Sequence, residues 1–392
     1  MLRFFTSGES HGKGLIALIE GIPAGLPMAA DFINLELRRR QGGYGRGGRM
    51  KIETDRAEII SGVRWGKTLG SPISLLIRNK DWENWQAAMS EDQEFDGSVP
   101  PVTRPRPGHA DLPGALKYAH KDIRNILERS SARETAARVA LGAVAKSLLQ
   151  ELGIRTGSYV TSVAAVEARI TPVHKNEDHL ARLFQKAEKS LLRCPDAKAT
   201  ELMKQAVDRA SARGDTVGGT FTVFIAGAPA GLGSHVQWDR KLDGLYARAL
   251  MSIQAIKAVS VGGGAELAGM KGSQVMDEIF YSGKDKSYFR NTNNMGGIEG
   301  GMTNGMPVIL NASMKPIPTL KRPLRSVDIS TRKAFAAAYE RSDVCAVPAA
   351  SVVAEAMSAL VTAEALLEKT GGDSMAEVIR NYNAYRKQVQ DF

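Results

Sequence analysis

Two segments of the chain carry the same turn after a strand-like run. Residues 21–26 read Gly-Ile-Pro-Ala-Gly-Leu, and residues 227–232 read Gly-Ala-Pro-Ala-Gly-Leu. The repeat predicts two similar halves within one fold, although a coincidence between common turn residues would give the same letters. No Pro- or Ser-rich linker separates the halves, and we therefore interpret residues 1–392 as a single domain.

Strand-like and helix-like patterns are mixed along the whole chain. Strand-like runs lie at 15–19, 52–60, 73–77, 215–227 and 306–313. Apolar or amphipathic patterns at helical spacing predict helices at 114–129, 131–152, 177–192, 196–213, 239–258, 349–370 and 374–390. The helix predicted at 131–152 begins with Ser131 and Glu134, the spacing of a capping box. The acidic, turn-rich segment 81–100 is predicted to be an exposed loop insertion.

Composition narrows the class of protein. Hydrophobic residues make up 43% of the chain and charged residues 24%, which excludes a disordered chain and a collagen. The two cysteines are too few for a disulfide framework or a Cys-based metal site, and no His-rich metal spacing occurs. No stretch of about 18 residues looks apolar enough for a membrane span, and the N-terminus has no signal-peptide core. We therefore expect a cytoplasmic protein without a metal site.

The charge balance favours an anionic partner. The 52 Lys and Arg exceed the 42 Asp and Glu, which gives a formal net charge of +10. Composition alone leaves open whether the partner is a nucleic acid or a small phosphorylated molecule.

Three motifs resemble nucleotide- or RNA-binding signatures, but each lacks a feature that the signature requires. Residues 43–48 fit G-x-G-x-x-G, but three arginines precede them where a dinucleotide-binding fold needs a strand. Residues 61–68 resemble a phosphate-binding P-loop, but Ser61 stands where the first glycine is required. The Arg/Gly-rich tract around Tyr44 is too short for a disordered RNA-binding segment.

Four clusters combine turn residues or a helix start with chemically active side chains. They lie at 7–12, 38–51, 104–111 and 129–135. The second cluster has six basic residues and no acid, and arginine forks match the oxygens of phosphate and carboxylate groups in pairs. In the third, prolines stiffen the backbone around Arg106 and His109. The fourth places two serines and two arginines at a helix start, where free N–H groups attract anions.

Together these clusters resemble the chorismate synthase family. The resemblance rests on seven motifs in family order, at 8–12, 38–40, 106–111, 129–135, 296–301, 315–319 and 341–343. It implies an α+β fold, a β-α-β sandwich with antiparallel sheets packed on helices, and a homotetramer. The implied reaction is a 1,4-anti elimination of phosphate from 5-enolpyruvylshikimate 3-phosphate, which gives chorismate. That reaction requires reduced FMN, although it has no net redox change.

The resemblance also implies roles for individual side chains. Three are catalytic. His11 protonates the leaving phosphate, His109 lies near flavin N1, and Asp343 takes the C6 proton together with flavin N5. The implied substrate-binding residues are Ser10, Arg40, Arg46, Arg49, Arg106 and Arg133. Arg40 and Arg46 are alternatively assigned to the phosphate of a nicotinamide nucleotide, with NADPH as a reductant, and their charge does not separate the two roles.

The implied FMN contacts come from several parts of the chain. They are Arg129, Ser130, Ser131, Gln254, Ala255, Gly300, Lys315, Pro316, Ile317, Pro318, Thr319 and Arg341.

Two other functions would fit parts of the sequence. One is a nucleic-acid-binding protein, which the charge and the Arg/Gly tract would suit, and the other is a flavin reductase that consumes NADPH.

Overall fold

A computed structural model describes residues 2–47, 54–170, 176–284, 286–338 and 343–392. The helices are α1 (Ala30–Gln41), α2 (Gln86–Met89), α3 (Asp111–Tyr118), α4 (Arg124–Ser130), α5 (Thr135–Glu151), α6 (Glu177–Glu188), α7 (Ala197–Ala212), α8 (Leu242–Met251), α9 (Gly272–Val275), α10 (Val347–Thr370) and α11 (Met375–Asp391). The longer strands are β1 (Arg3–Ser7), β2 (Gly14–Glu20), β3 (Ala57–Ser61), β6 (Ile73–Arg78), β7 (Arg155–Val163), β9 (Gly219–Ala226), β10 (Ile256–Val261) and β15 (Val308–Met314). The shorter strands are β4 (Val63–Arg64), β5 (Lys67–Thr68), β8 (Val166–Glu167), β11 (Ile279–Ser282), β12 (Ser287–Arg290), β13 (Ile298–Glu299), β14 (Met302–Thr303), β16 (Arg325–Val327) and β17 (Ala334–Ala336).

Two antiparallel sheets enclose a layer of helices. The first sheet has the order β1-β2-β6-β3, and the second has the order β10-β15-β9-β7-β8. Helix α5 packs on β2 and β6, α10 packs on β7 and β9, and the two helices pack on each other. Strands β2 and β6 bury alternate side chains, which is the pattern of a strand with one face against the core. The α+β sandwich expected from the family resemblance is thereby confirmed.

The two sheets repeat one another in detail. Read from β1, the order β1-β2-β6-β3 matches β7-β9-β15-β10 strand for strand. In the first half, Thr68 donates a hydrogen bond to the carbonyl of Pro23 (2.6 Å) and accepts one from the N–H of Leu26 (2.9 Å). The second half repeats these bonds at the same lengths, through Thr303, Pro229 and Leu232. The repeated turn therefore marks two similar halves and is not a coincidence of letters.

Several predicted boundaries were wrong for local reasons. The helix predicted at 114–129 is two helices, because Ala119 adopts a positive φ of 57° and ends α3. The helix predicted at 239–258 stops at Met251, and β10 begins at Ile256. The capping box at Ser131 is only half formed. The Ser131 hydroxyl accepts from the N–H of Arg133, but the Glu134 side chain binds Arg138 instead.

Helix α10 corrects the expectation about membrane spans. Among the described residues it alone is long and apolar enough to cross a membrane, by length and composition. However, 83% of its most apolar window is buried inside the molecule. It is the central helix of the core, which packs on α5 and on two strands.

Candidate active site

A cavity of about 760 Å³ lies at one end of the helical layer. That volume falls in the upper part of the range of about 300–1,000 Å³ usual for small-molecule sites. Five of its lining side chains are Arg or Lys and three are Asp or Glu, so its fixed charge favours an anion. The predicted residues that line it are Ser10, His11, Arg40, Arg46, Arg106, His109, Ser130, Ser131, Arg133, Gln254, Ala255, Lys315, Ile317, Pro318, Thr319 and Asp343.

The other predicted site residues are not seen at this cavity. Arg129 lies outside its lining and donates to the carbonyl of Thr6 (2.6 Å). Gly300 is in the turn between β13 and β14, also outside the lining. Pro316 lies between two lining residues without contributing to the surface. Arg49 and Arg341 fall outside the described residues.

His11 is held in a tight turn between β1 and β2. Gly8 in this turn has a φ of 96°, and a Cβ there would lie 2.2 Å from the carbonyl oxygen of Gly14. The Nδ1 atom of His11 lies 2.9 Å from Oε1 of Glu128 on α4. Ser10, the residue before His11, donates a hydrogen bond to the Ser131 hydroxyl (3.1 Å). The turn thus brings the first predicted cluster against the fourth.

His109 and Arg106 share one buried carboxylate. Asp111, at the start of α3, binds His109 through Nδ1 and accepts from Nε of Arg106 (2.9 Å). Burial alone would raise the pKa of Asp111, but the hydrogen bonds from His109 and Arg106, with the charges of both, outweigh it and lower the pKa to about 2. The Arg106 fork also reaches the hydroxyl of Thr319 (3.1 Å). The third cluster is therefore joined to the 315–319 loop.

Arg40 and Arg133 converge from two helical segments on one acid. Arg40, at the end of α1, and Arg133 both bind the carboxylate of Asp55. Burial is the main cause that lowers the pKa of Arg40 to about 10, and the charges of Arg133 and Arg46 add to it, whereas Asp55 opposes it. Arg40 stays charged at neutral pH. Two buried guanidinium groups that share one carboxylate leave positive charge to be neutralised by a ligand.

Asp343 and Arg46 form an ion pair in the cavity wall. Nη1 of Arg46 lies 2.8 Å from Oδ2 of Asp343, and the N–H of Gly47 donates to the other carboxylate oxygen (2.6 Å). The predicted base therefore already touches a predicted substrate-binding arginine.

The opposite wall is formed by the residues before β10 and after β15. Ala255 adopts a φ of 67°, which is rare for a residue with a side chain and marks local strain. Its carbonyl accepts from the N–H of Lys315 (2.9 Å), which joins the two segments. The Oε1 atom of Gln254 is buried without a hydrogen-bond partner among the described residues. Buried polar atoms normally have partners, so this oxygen is suited to a ligand donor such as a ring N–H of a flavin.

The Lys315 ammonium group projects from the same wall. It donates to the carbonyl of Gly108 (3.0 Å). Burial, with a smaller contribution from the charge of Lys257, lowers the pKa of Lys315. An anionic ligand at this wall would favour its charged form.

Five residues near the site were not assigned a role by the motifs. They are Asp55, Asn79, Trp85, Asp111 and Glu128. Asp111 and Glu128 stand inside or beside quoted motifs, so their spacing from His109 and Arg129 could have suggested them. Trp85 belongs to the segment 81–100, which was predicted to be a plain exposed loop. That prediction was incomplete, because Trp85 and Asp81 line the cavity.

Comparisons with known proteins agree with this architecture. The family model described as chorismate synthase matches residues 2–367. A relative from Aquifex aeolicus named chorismate synthase is 58% identical over 394 residues, and the match covers 100% of this chain and 99% of the relative. One from Pelobacter propionicus with the same name is 58% identical over 396 residues, with 100% of both chains covered. A solved structure described as a chorismate synthase is 48% identical with a TM-score of 0.82, over 100% of this chain and 99% of its own. On sequence and structure alike, this chain belongs to the chorismate synthase family.

Proposed function

We propose that this chain is a carbon–oxygen lyase that eliminates phosphate from 5-enolpyruvylshikimate 3-phosphate to give chorismate. The observation that carries the proposal is that His11, His109 and Asp343, far apart in sequence, line one cavity together with four arginines. The substrate carries a phosphate and two carboxylates. A cavity with an excess of fixed cations is suited to such a multiply charged anion.

The arginines would bind the anionic groups of the substrate. Arg40 and Arg133 already face each other across Asp55, and Arg106 is held by Asp111. Each charged hydrogen bond to the ligand contributes about 1.5–3 kcal/mol net. We assign Arg40 and Arg46 to the substrate in preference to a nicotinamide nucleotide, because they share the cavity with His11 and Asp343.

Reduced FMN is the proposed cofactor, and the residues at the 254–255 and 315–319 wall fit it. Gln254 offers an unpartnered buried oxygen, and Lys315 offers a cation for the flavin ring or phosphate. His109 is held by Asp111 at Nδ1, and its Nε2 lies 3.4 Å from Nη2 of Arg106; it would hold a proton for the flavin ring. When bound, the reduced flavin supplies the electron density that an elimination at an unactivated C–H position requires.

His11 and Asp343 would handle the two ends of the elimination. The C–O bond to phosphate breaks with its electron pair leaving on the phosphate, and His11 donates a proton to that oxygen. Asp343 takes the proton from C6 once Arg46 has turned from it towards a substrate anion. Because Arg46 and Asp343 form an ion pair, the anion that binds Arg46 would also release Asp343 to act as the base.

Three further properties are proposed from family membership. We expect a homotetramer, a cytoplasmic location and reduction of FMN by an outside source, with NADPH as the candidate reductant. The tetramer is tested by measuring the molar mass in solution, and a monomeric mass would contradict it.

The test of the proposed function is an anaerobic assay with chemically reduced FMN and the enolpyruvyl substrate. Phosphate release is followed directly, with oxidised FMN as the control. We expect many turnovers per reduced flavin and no release with oxidised flavin. No release at all would contradict the proposal. In a parallel assay with NADPH as the reductant, consumption of NADPH in step with product would instead indicate a net reductase.

A further inference from the structure

Two residues to which no motif assigned a role contact the ring of His11. Glu128 contacts one edge of the ring, and Trp85 stacks on one face. Both oxygens of Glu128 lie near its Nδ1 atom, at 2.9 and 3.1 Å. The Trp85 ring is stacked on its face, with the ring centroids 3.8 Å apart and the planes inclined by 24°. His11 is separated from Trp85 by 74 positions and from Glu128 by 117, so only the fold brings the three together.

Glu128 is placed so that its carboxylate faces the His11 turn. Its side chain is 3% exposed on α4, and it also accepts a hydrogen bond from the backbone N–H of His11 (2.7 Å). The backbone carbonyl of Glu128 accepts from the N–H of Ser10 (3.0 Å). Three bonds therefore lock residue 128 to the turn. Since an ionised carboxylate only accepts hydrogen bonds, the Nδ1 atom of His11 must carry the proton of this contact.

Trp85 is itself held by two contacts, one with Asp81 in the segment 81–100 and one with Arg124 on α4. Its indole N–H donates to the carboxylate of Asp81 (3.0 Å), and the guanidinium of Arg124 lies 5.2 Å from its ring centroid. Asn79, just before this segment, donates to the carbonyls of Glu9 (3.1 Å) and Gly12 (2.7 Å) on both sides of the turn. The segment 81–100 is thereby anchored over the His11 turn.

We propose that Glu128 and Trp85 are positioning residues for His11, which fix its ring so that Nε2 alone exchanges a proton with a ligand in the cavity. Nδ1 is occupied by Glu128, and Nε2 has no hydrogen-bond partner among the described residues. The inference rests on the proposed function. In the protonated imidazole, Nε2–H gives its proton to the phosphate oxygen as the C–O bond breaks. The neutral ring keeps Nδ1–H on Glu128 and regains its other proton from solvent.

A carboxylate that orients a catalytic imidazole acts only through that imidazole. This makes a double-mutant cycle the decisive experiment. The variants are Glu128→Gln, His11→Ala and the pair, assayed for phosphate release under anaerobic conditions with reduced FMN. We expect Glu128→Gln to lower turnover by about 10- to 100-fold, the scale for loss of an orienting partner, with KM unchanged. In the His11→Ala background the same change should alter turnover by less than about twofold.

The outcomes separate this inference from the proposed function. Wild-type turnover in Glu128→Gln, or an equal loss in both backgrounds, would overturn the positioning role of Glu128 while leaving the elimination intact. An inactive wild-type enzyme would instead remove the proposed function. Glu58→Gln is the matched control, because Glu58 forms an exposed ion pair with Arg78 on β3 and β6. Should Glu128→Gln fail to fold, Glu128→Asp withdraws the carboxylate from Nδ1 and takes its place in the cycle.

A separate pair of variants tests whether Trp85 positions His11. Trp85→Phe keeps an aromatic face against His11, whereas Trp85→Ala removes it. We expect Phe to retain most of the turnover and Ala to lose about tenfold, and that loss should disappear in the His11→Ala background. Trp65→Ala, at a tryptophan that is 86% exposed, is the matched control. Equal activity of the Phe and Ala variants would remove Trp85 from the positioning role.

Discussion

At the scale of single residues, His11 is the side chain on which the proposed chemistry depends most. It lines the cavity, but its side chain contacts Glu128 and Trp85 and not the 254–255 segment or the 315–319 loop, so its loss should leave FMN binding nearly intact. We expect His11→Ala to cut turnover by about 10²–10⁴-fold, the loss typical of an acid–base group. Turnover is measured by phosphate release and FMN affinity by fluorescence quenching. Unchanged turnover would remove His11 from the mechanism.

Asp343 can be replaced by asparagine, whose side chain has nearly the same shape. In Asp343→Asn the amide oxygen can still accept from the N–H of Gly47, so the local backbone should be preserved. The variant cannot take a proton from carbon, and we expect substrate binding to persist while turnover falls by about 10²–10⁴-fold. Binding is measured by calorimetry, with the exposed Asp239→Asn as a control. Loss of binding with no separate effect on turnover would indicate that Asp343 only organises the arginines.

Asp111 gives a residue-scale prediction about pH. Its pKa is lowered to about 2 in the folded chain, from an ordinary value of 3.8, so its carboxylate stabilises the fold above about pH 4. This stabilisation, about 2 kcal/mol, is lost as the pH falls from 4 towards 2. We expect Asp111→Asn to lower the free energy of unfolding by about that amount at pH 7 and by clearly less at pH 3. Urea unfolding at both values tests it, and a difference that does not change with pH would contradict it.

At the scale of elements, α5 and α10 pack closely against each other in the core. A Cβ on Gly142 of α5 would lie 2.3 Å from the Cβ of Ala356 on α10. Gly142→Ala should therefore destabilise the protein by about 1–3 kcal/mol through overpacking, although alanine is the better helix former.

Gly244 is the matched control for that prediction. It lies in α8, and a Cβ there would meet nothing within 4 Å. Gly244→Ala should raise stability by up to about 1 kcal/mol. Urea midpoints of the two variants should move in opposite directions. A shift in the same direction would show that backbone propensity, and not the close helix contact, decides at position 142.

Some helices and strands could be predicted from sequence patterns, whereas some of their boundaries could not. The long helices α5 and α10 could be predicted because their apolar residues recur at helical spacing, and β2 and β6 because their strands are apolar and short. The break after α3 could not be predicted, because it depends on the left-handed conformation of a single alanine, Ala119. The end of α8 depends on the tertiary pairing of β10 with β15, which no local pattern records.

At the scale of the whole molecule, the site could be predicted only through motifs that act together. Charge, glycine and proline marked the clusters, and the family resemblance assigned side chains from them to one site. Six of these side chains line the cavity, namely His11, Arg40, Arg46, Arg106, His109 and Arg133. Of the buried acids that orient them, Asp111 and Glu128 stand inside or beside a motif, but the sequence does not say which side chain each one holds. Asp55 lies outside every motif, and its short-range surroundings are no different from those of a surface acid. The pairing of Asp55 with Arg40, and of Glu128 with His11, exists only once the segments that carry them have folded together.

A buried ion cluster joins the helical layer to the second sheet, where the hydroxyl of Ser158 on β7 donates to Glu355 (2.6 Å), and it yields the last prediction. Glu355 on α10 is fully buried and accepts from Arg39 on α1 (2.9 Å), Lys146 on α5 (2.7 Å) and Arg193 (2.8 Å). Its pKa lies well below its usual range, because the three cations outweigh a burial that would raise it. Arg39 is the neighbour of Arg40, so this cluster also fixes the end of α1 that carries Arg40 into the cavity.

Removing Glu355 would leave three buried cations without their shared partner. We therefore expect Glu355→Ala to lower the free energy of unfolding by about 3–5 kcal/mol, the cost of breaking a buried ion pair from one side. Glu364→Ala is the control, since Glu364 lies on the same helix and makes none of these bonds. It should change stability by no more than about 0.5 kcal/mol. If the two variants unfold at the same urea concentration, the cluster does not hold the two layers together, and the placement of Arg40 must depend on its own bonds to Thr135, Asp55 and the carbonyl of Ala132.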